Sequence, residues 1–266
     1  MDNDLNNLWM DIAKEIAPNI YEDLAKNPLQ TTGKVFDLLP RSIKALCFPL
    51  EKWILNREFA IKELSIRLNK KLEKIDGNDI ISPDAYIAVP LVEQYSYCND
   101  KDELKNLYTN LLASSMNKKT RNSVHPGFVD IIKQLSPDEA KIMKELYNVK
   151  REAVLDVNAA SEEKESIVTY KSYSLIAYKA KCDCPENTSA YVDNLTRLGL
   201  IINKTGIKYL AEESYYTKIE ELPQVKDLKE QIKRRNDKYN IVKLDKGYIE
   251  LTDFGQLFCK ICISDY

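Results

Sequence analysis

Residues Glu103–Tyr147 read ELKNLYTNLLASSMNKKTRNSVHPGFVDIIKQLSPDEAKIMKELY, and this stretch decides the fold. Leu104, Leu107, Tyr108, Leu111, Leu112 and Met116 recur at helical spacing and make one apolar face. Phe128, Ile131, Ile132 and Leu135 make a second face, and Ile142, Met143, Leu146 and Tyr147 a third. Ser136-Pro137-Asp138-Glu139 has the form of a capping box, with proline where its missing N–H costs nothing. Three amphipathic helices on short links must bury their stripes against each other or a neighbour.

Upstream, the pattern stays helical. Leu5, Leu8, Trp9, Ile12, Ile16, Ile20 and Leu24 form one stripe, interrupted by Pro18. Prolines 28, 40 and 49 punctuate short helical segments. A long helix follows to about Ile75, burying Ile54, Ile61, Leu64, Leu68, Leu72 and Ile75. Its other face is charged, with Lys62, Glu63, Arg67, Lys70, Lys71 and Glu73. Asp76-Gly77-Asn78 stops it, and Ser82-Pro83-Asp84 starts the next helix, to about Tyr97 with Pro90 inside. Residues 1–150 are therefore expected to form a helical bundle.

After Tyr147 the texture changes. Ala153–Val157 alternates like a strand, and Ser161–Ser166 is a charged turn. Tyr170–Lys181 fits a strand or a helix equally. Asn187 opens a helix carrying Tyr191, Val192, Leu195 and Leu198; Gly199 ends it, and Leu200-Ile201-Ile202 continues as a strand. Ile241–Leu244, a turn at Asp245-Lys246-Gly247, and Tyr248–Leu251 are expected to form a hairpin. Thr252 caps a final helix. Helix, strand, hairpin, helix is the order of a winged helix. Residues 151–266 are expected to form such an α+β domain, with an insertion over about 204–238 holding a charged helix from Gln224 to Lys238.

Composition narrows the function classes. The chain has 266 residues, 44% hydrophobic and 30% charged, which is enough for two domains with real cores. A formal net charge of −2 is a poor footprint for unselective binding to nucleic acid or anionic membrane. No uncharged apolar run approaches the roughly 20 residues of a membrane span. The start, MDNDLNNLW, is acidic and polar rather than a secretory leader. A reducing cytoplasm is expected, with the six cysteines free.

Candidate chemistry is sparse. Cys182, Cys184, Cys259 and Cys262 could supply four thiolates to zinc. But Cys-x-Cys is an unusual knuckle spacing, and Cys259 and Cys262 lie on an apolar helix, where cysteine acts as a small hydrophobe. His125 is the only histidine, which excludes two-histidine motifs. Its place before Pro126-Gly127 suits a corner between helices, where imidazole satisfies backbone groups. The seven glycines form no phosphate loop. The acidic pairs Asp138-Glu139, Glu162-Glu163 and Glu212-Glu213 read as solvated faces. No catalytic residue, cofactor or metal is assigned. The nucleic-acid candidates are Asn194 and Arg197 on the helix after Asn187, and Lys233, Arg234 and Arg235 in the insertion.

Four words carry a resemblance: NLLASSM (Asn110–Met116), HPGFVDIIKQLSPDEAKI (His125–Ile142), YVDNLTRLGLI (Tyr191–Ile201) and IELTDFGQLF (Ile249–Phe258). The chain resembles the abortive infection alpha family from about Ile20 onward. The resemblance implies a bacterial anti-phage defence role and carries no catalytic residues. Together with the sparse chemistry, it makes a protein partner, or a second copy of the chain, the expected target. A winged-helix regulator of nucleic acid and a membrane-acting effector are the alternatives.

Overall fold

The computed structural model describes residues 59–98, 100–163, 165–208 and 210–264. The expected helices upstream of residue 59 lie outside these residues. The fold divides into two compact units, with the boundary between Gln134 and Leu135. Mostly helical, it also contains one antiparallel sheet.

The first unit is helical. Helix α1 spans residues 59–72 and buries Leu64, Leu68 and Leu72, one per turn. Helix α2 (Ala85–Tyr95) buries Ile87, Ala88, Leu91, Val92 and Tyr95, with Pro90 inside. Helix α3 (Asp102–Ser115) is buried nearly all round, not on its apolar face alone. Its polar side is tolerated because the hydroxyls bond their own helix: Thr109 donates to the Lys105 carbonyl at 2.7 Å, and Ser115 to Leu112 at 2.7 Å. Helix α4 (Gly127–Lys133) buries Phe128, Val129, Ile131 and Ile132 and packs with α2 against α3.

The second unit opens with α5 (Pro137–Val149), whose capping box is formed as the sequence predicts. The Ser136 hydroxyl accepts from the Glu139 amide at 3.2 Å, and the Ser136 amide donates to Glu139 Oε2 at 2.6 Å. Strand β1 (Arg151–Ala160) follows. It pairs antiparallel with β2 (Ser166–Tyr173), joined by the expected charged turn. A short α6 (Ile176–Lys179) leads to α7 (Thr188–Arg197). Gly199, at φ +70°, ends the α7 segment, a conformation glycine adopts without steric cost. Strand β3 is Ile201–Asn203.

The insertion holds two helices, α8 (Ser214–Glu220) and α9 (Pro223–Lys233), rather than the one expected over Gln224–Lys238. Proline at the first position restarts the chain at α9. The expected hairpin is corrected too: residues Ile241–Leu251 form one unbroken strand, β4. It pairs with β1 along its whole length, from Ile241 opposite Ala160 to Glu250 opposite Arg151. Residues Asp245–Gly247, read as a turn, lie mid-strand. Gly247 is there for another reason: a Cβ would stand 2.2 Å from the Thr205 Cα.

The sheet order is β2-β1-β4-β3. One face, with Ala153, Leu155, Val157 and Ala159, packs on Tyr216, Ile219, Val225 and Ile232 from the inserted helices. Thr252 caps α10 (Asp253–Phe258), its hydroxyl accepting from the Gly255 amide at 2.9 Å. A π-helical turn, Cys259–Ile263, completes the unit.

Candidate functional site

The most elaborate polar cluster grows from the first turn of α5. Asp138 and Glu139, read from sequence as solvated, are buried at 6% and 4% exposure. The correction has a clear cause, since their partners lie more than forty residues downstream. The Asp138 carboxylate accepts from the amides of Asp183 (2.8 Å) and Cys184 (3.0 Å) and from the Tyr191 hydroxyl (2.9 Å). Lys141 adds a contact at 3.2 Å and reaches Asp183 at 3.1 Å. Burial alone would raise the Asp138 pKa, but these donors together hold it below the usual carboxylate range. Glu139 binds the Asn194 amide at 2.7 Å. Helix α7 is thereby fastened to α5 at two points, through Tyr191 and Asn194.

This geometry places the nucleic-acid candidates. Both ends of the Asn194 side chain are occupied: its nitrogen donates to Glu139, and its oxygen accepts from Arg197 at 2.6 and 3.1 Å. The two residues are thus together on α7, which packs on β2 and β3. The insertion candidates sit at the end of α9, which packs on β1 and β4. Lys233 pairs with Glu230 at 3.0 Å and Arg235 with Asp237 at 2.6 Å, while Arg234 is exposed at the helix end.

The Cys182, Cys259 and Cys262 thiols and the His125 imidazole serve the fold. Cys182 donates to the Asp138 carbonyl at 3.5 Å, and burial raises its thiol to about 12. Burial also raises Cys259 to about 12 and Cys262 well above the ordinary value. Such thiols stay protonated near neutrality and are poor nucleophiles. Among the described residues, no three of His, Cys, Asp and Glu gather as metal ligands. His125 Nδ1 accepts from the Gly127 amide at 3.1 Å and so caps the start of α4.

A cationic cleft was not singled out from the sequence. It is open, about 490 Å³, and lined by Glu63, Ile66, Arg67, Lys70, Lys71, Lys74 and Asn106. Positions 67, 70, 71 and 74 share one helical face, a legible signal. Asn106 comes from α3 and was not legible locally. Among the described residues, Glu63 is the only carboxylate in the lining. It is bridged by Lys105 at 2.7 Å and by Arg67 at 2.8 Å. Burial would raise its pKa, yet Lys105 and Arg67 hold it below the ordinary value. A second cleft, about 380 Å³, is lined by Val149, Lys150, Arg151, Glu250, Leu251 and Gln256. There Glu250 is bridged by Arg151 at 2.7 Å and by Lys204.

Comparison with known proteins adds the family and little else. No curated protein matches the chain. A solved structure, the uncharacterized protein from the hydrocarbon-degrading marine bacterium Alcanivorax borkumensis SK2, aligns at 17% identity and a TM-score of 0.37. That alignment covers 49% of this chain and 87% of the other. The abortive infection alpha family model matches residues 56–262, spanning both units, and the chain belongs to that family.

Proposed function

We propose that this protein is a cytoplasmic anti-phage defence factor that acts by contact with a protein, without bond-making chemistry of its own. Family membership points to abortive infection and carries the role. The mechanism rests on how the reactive side chains are used. Asp138 is saturated with donors, the buried thiols are held protonated, and the imidazole caps a helix. Asp138, the buried thiols and the imidazole are thus committed to the fold.

The second unit is read as a winged-helix-like domain. In support, α5, β1, the pair α6 and α7, β3 and β4 follow in that order, and β4 lies between β1 and β3. The inserted helices α8 and α9 occupy the position of the wing. Tying Asn194 to Glu139 favours a domain that presents a shaped surface over one that reads base edges. Among the described residues, no helix is long and apolar enough to cross a membrane.

A plating assay tests the role. Cells expressing the protein should plate at least one phage of a broad panel less efficiently than cells lacking it. Equal plating across the panel would remove the defence reading. Fluorescence anisotropy at low salt tests the mechanism. Single- and double-stranded DNA and RNA should show no binding that Arg197→Ala and Arg234→Ala weaken. Steeply salt-dependent binding lost in both variants would instead establish nucleic-acid recognition.

A further inference from the structure

We propose that Cys182 and Cys184 form a redox modification site, oxidised to a disulfide by a hydroperoxide, and that closing the disulfide releases their segment from Asp138. The two residues flank Asp183 in the link between α6 and α7, where the chain bends. Residues two apart are separated by at most about 7 Å of extended chain. A disulfide accepts Cα separations of roughly 4.4–6.8 Å. The backbone thus keeps the pair close enough to join, and direction keeps the sulfurs apart. Cys182 Sγ points at α5, donating to the Asp138 carbonyl at 3.5 Å, whereas Cys184 is exposed.

Asp138 grips the same segment. Its carboxylate accepts from the Asp183 amide at 2.8 Å and the Cys184 amide at 3.0 Å, and both amides lie between the two cysteine Cα atoms. Turning Cys182 outward to meet Cys184 breaks the thiol's bond to α5 and moves both amides. Just before them, Lys181 stands at φ +54°, a left-handed conformation that is costly for a residue with a side chain. The reduced segment is therefore held by its contacts rather than by local preference.

The oxidation proceeds in two steps. The Cys184 sulfur, as thiolate, attacks the hydroperoxide; the O–O bond breaks, an alcohol or water leaves with the thiol's proton, and Cys184 becomes a sulfenic acid. The Cys182 sulfur then attacks the Cys184 sulfur and loses its proton; the S–O bond breaks and water leaves. Two thiols give one disulfide as one hydroperoxide is reduced. Burial, and then the charges of Asp138 and Asp183, disfavour a Cys182 thiolate, so the second step is the slow one. The thiols of Cys98, Cys259 and Cys262 are buried away from the oxidant. Oxidation loosens the α5–α7 junction at its Asp138 end and leaves the Glu139–Asn194 contact in place.

Hydrogen peroxide, added to the full reduced chain at concentrations that oxidise free glutathione, tests the site. Alkylation and peptide mapping should show a disulfide joining Cys182 to Cys184, fully reversed by dithiothreitol. In Cys182→Ser, where the second step is blocked, dimedone should trap a sulfenic acid on Cys184. Amide hydrogen exchange on the wild-type chain, which needs no variant, reads the release. After oxidation the Asp183 and Cys184 amides should exchange at least about tenfold faster, while those of α4 stay unchanged. The proposal falls if peroxide leaves both thiols reduced, or if either pairs instead with Cys47 or with a second chain. It falls equally if Cys182→Ser carries no sulfenic acid on Cys184, or if the disulfide forms while the two amides exchange as slowly as before.

Discussion

Two charged networks, one in each unit, handle burial in opposite ways. Around Arg67 in the helical unit the charges lie nearer the rim: the Arg67 and Asp102 side chains are 28% and 70% exposed. Around Asp138 and Glu152 in the second unit the carboxylates lie inside, at 8% and 6%. A rim charge keeps much of its hydration, so its pairing adds little to stability. A buried charge has given up water and must be repaid by protein donors, so it becomes part of the fold. Rigidity is therefore placed at the α5–α7 junction of the second unit.

The largest expected effect tests the buried side. Asp138→Ala strands two backbone amides, the Tyr191 hydroxyl and Lys141 at once. It should lower unfolding free energy by about 3–5 kcal/mol, the usual cost of removing one member of a buried charged network. Arg67→Ala, at the rim, should cost about 1 kcal/mol or less. Urea denaturation of both variants checks the contrast, and equal losses would erase it.

The pH dependence of stability divides the buried acids further. Asp138 has a depressed pKa, so its contribution is present above the ordinary value of 3.8 and is lost as pH falls through its folded value. Asp156 is displaced the other way. Burial raises its pKa, and Asp245 and Asp193 raise it further, against the Ser172 amide and Lys171. Its ionised form therefore destabilises the fold at neutral pH, and that penalty disappears below 3.8. Asp156→Asn can still accept from the Ser172 amide. It should be more stable than wild type at pH 7, with the gap closing as the medium is acidified. Denaturation midpoints across pH 3 to 7 measure this, and a gap that widens in acid would contradict it.

The smallest effect lies at the corner before α4. His125→Asn retains an acceptor for the Gly127 amide and should leave stability and defence at wild-type levels. His125→Leu removes the cap and should cost about 1 kcal/mol. Loss of defence in His125→Asn at unchanged melting temperature would move the imidazole into an active site.

What was legible in the sequence is what local physics decides. The Ser136 capping box, the Thr252 cap and the glycine stop at Gly199 each need only three or four adjacent residues. The errors came from distance. Asp138-Glu139 looked like solvated helix-start acids because Cys184, Tyr191 and Asn194 are 46 to 55 residues away. Asp245-Lys246-Gly247 looked like a turn because glycine after a polar pair usually is one. Here glycine is required by the approach of the Thr205 backbone to a continuous strand. The cleft was half legible: the lysine spacing is local, but Asn106 and the neutralising Lys105 belong to another helix.

The claim that α7 is fastened rather than free to read a ligand rests most directly on the Glu139–Asn194 contact at 2.7 Å. A double-mutant cycle of Glu139→Ala and Asn194→Ala, followed by urea denaturation, isolates that contact. The account predicts a coupling energy of about 1–3 kcal/mol, the worth of a hydrogen bond to a charged group. Strictly additive losses, with no coupling, would show that Asn194 does not fasten the helix and would return it to the nucleic-acid candidates.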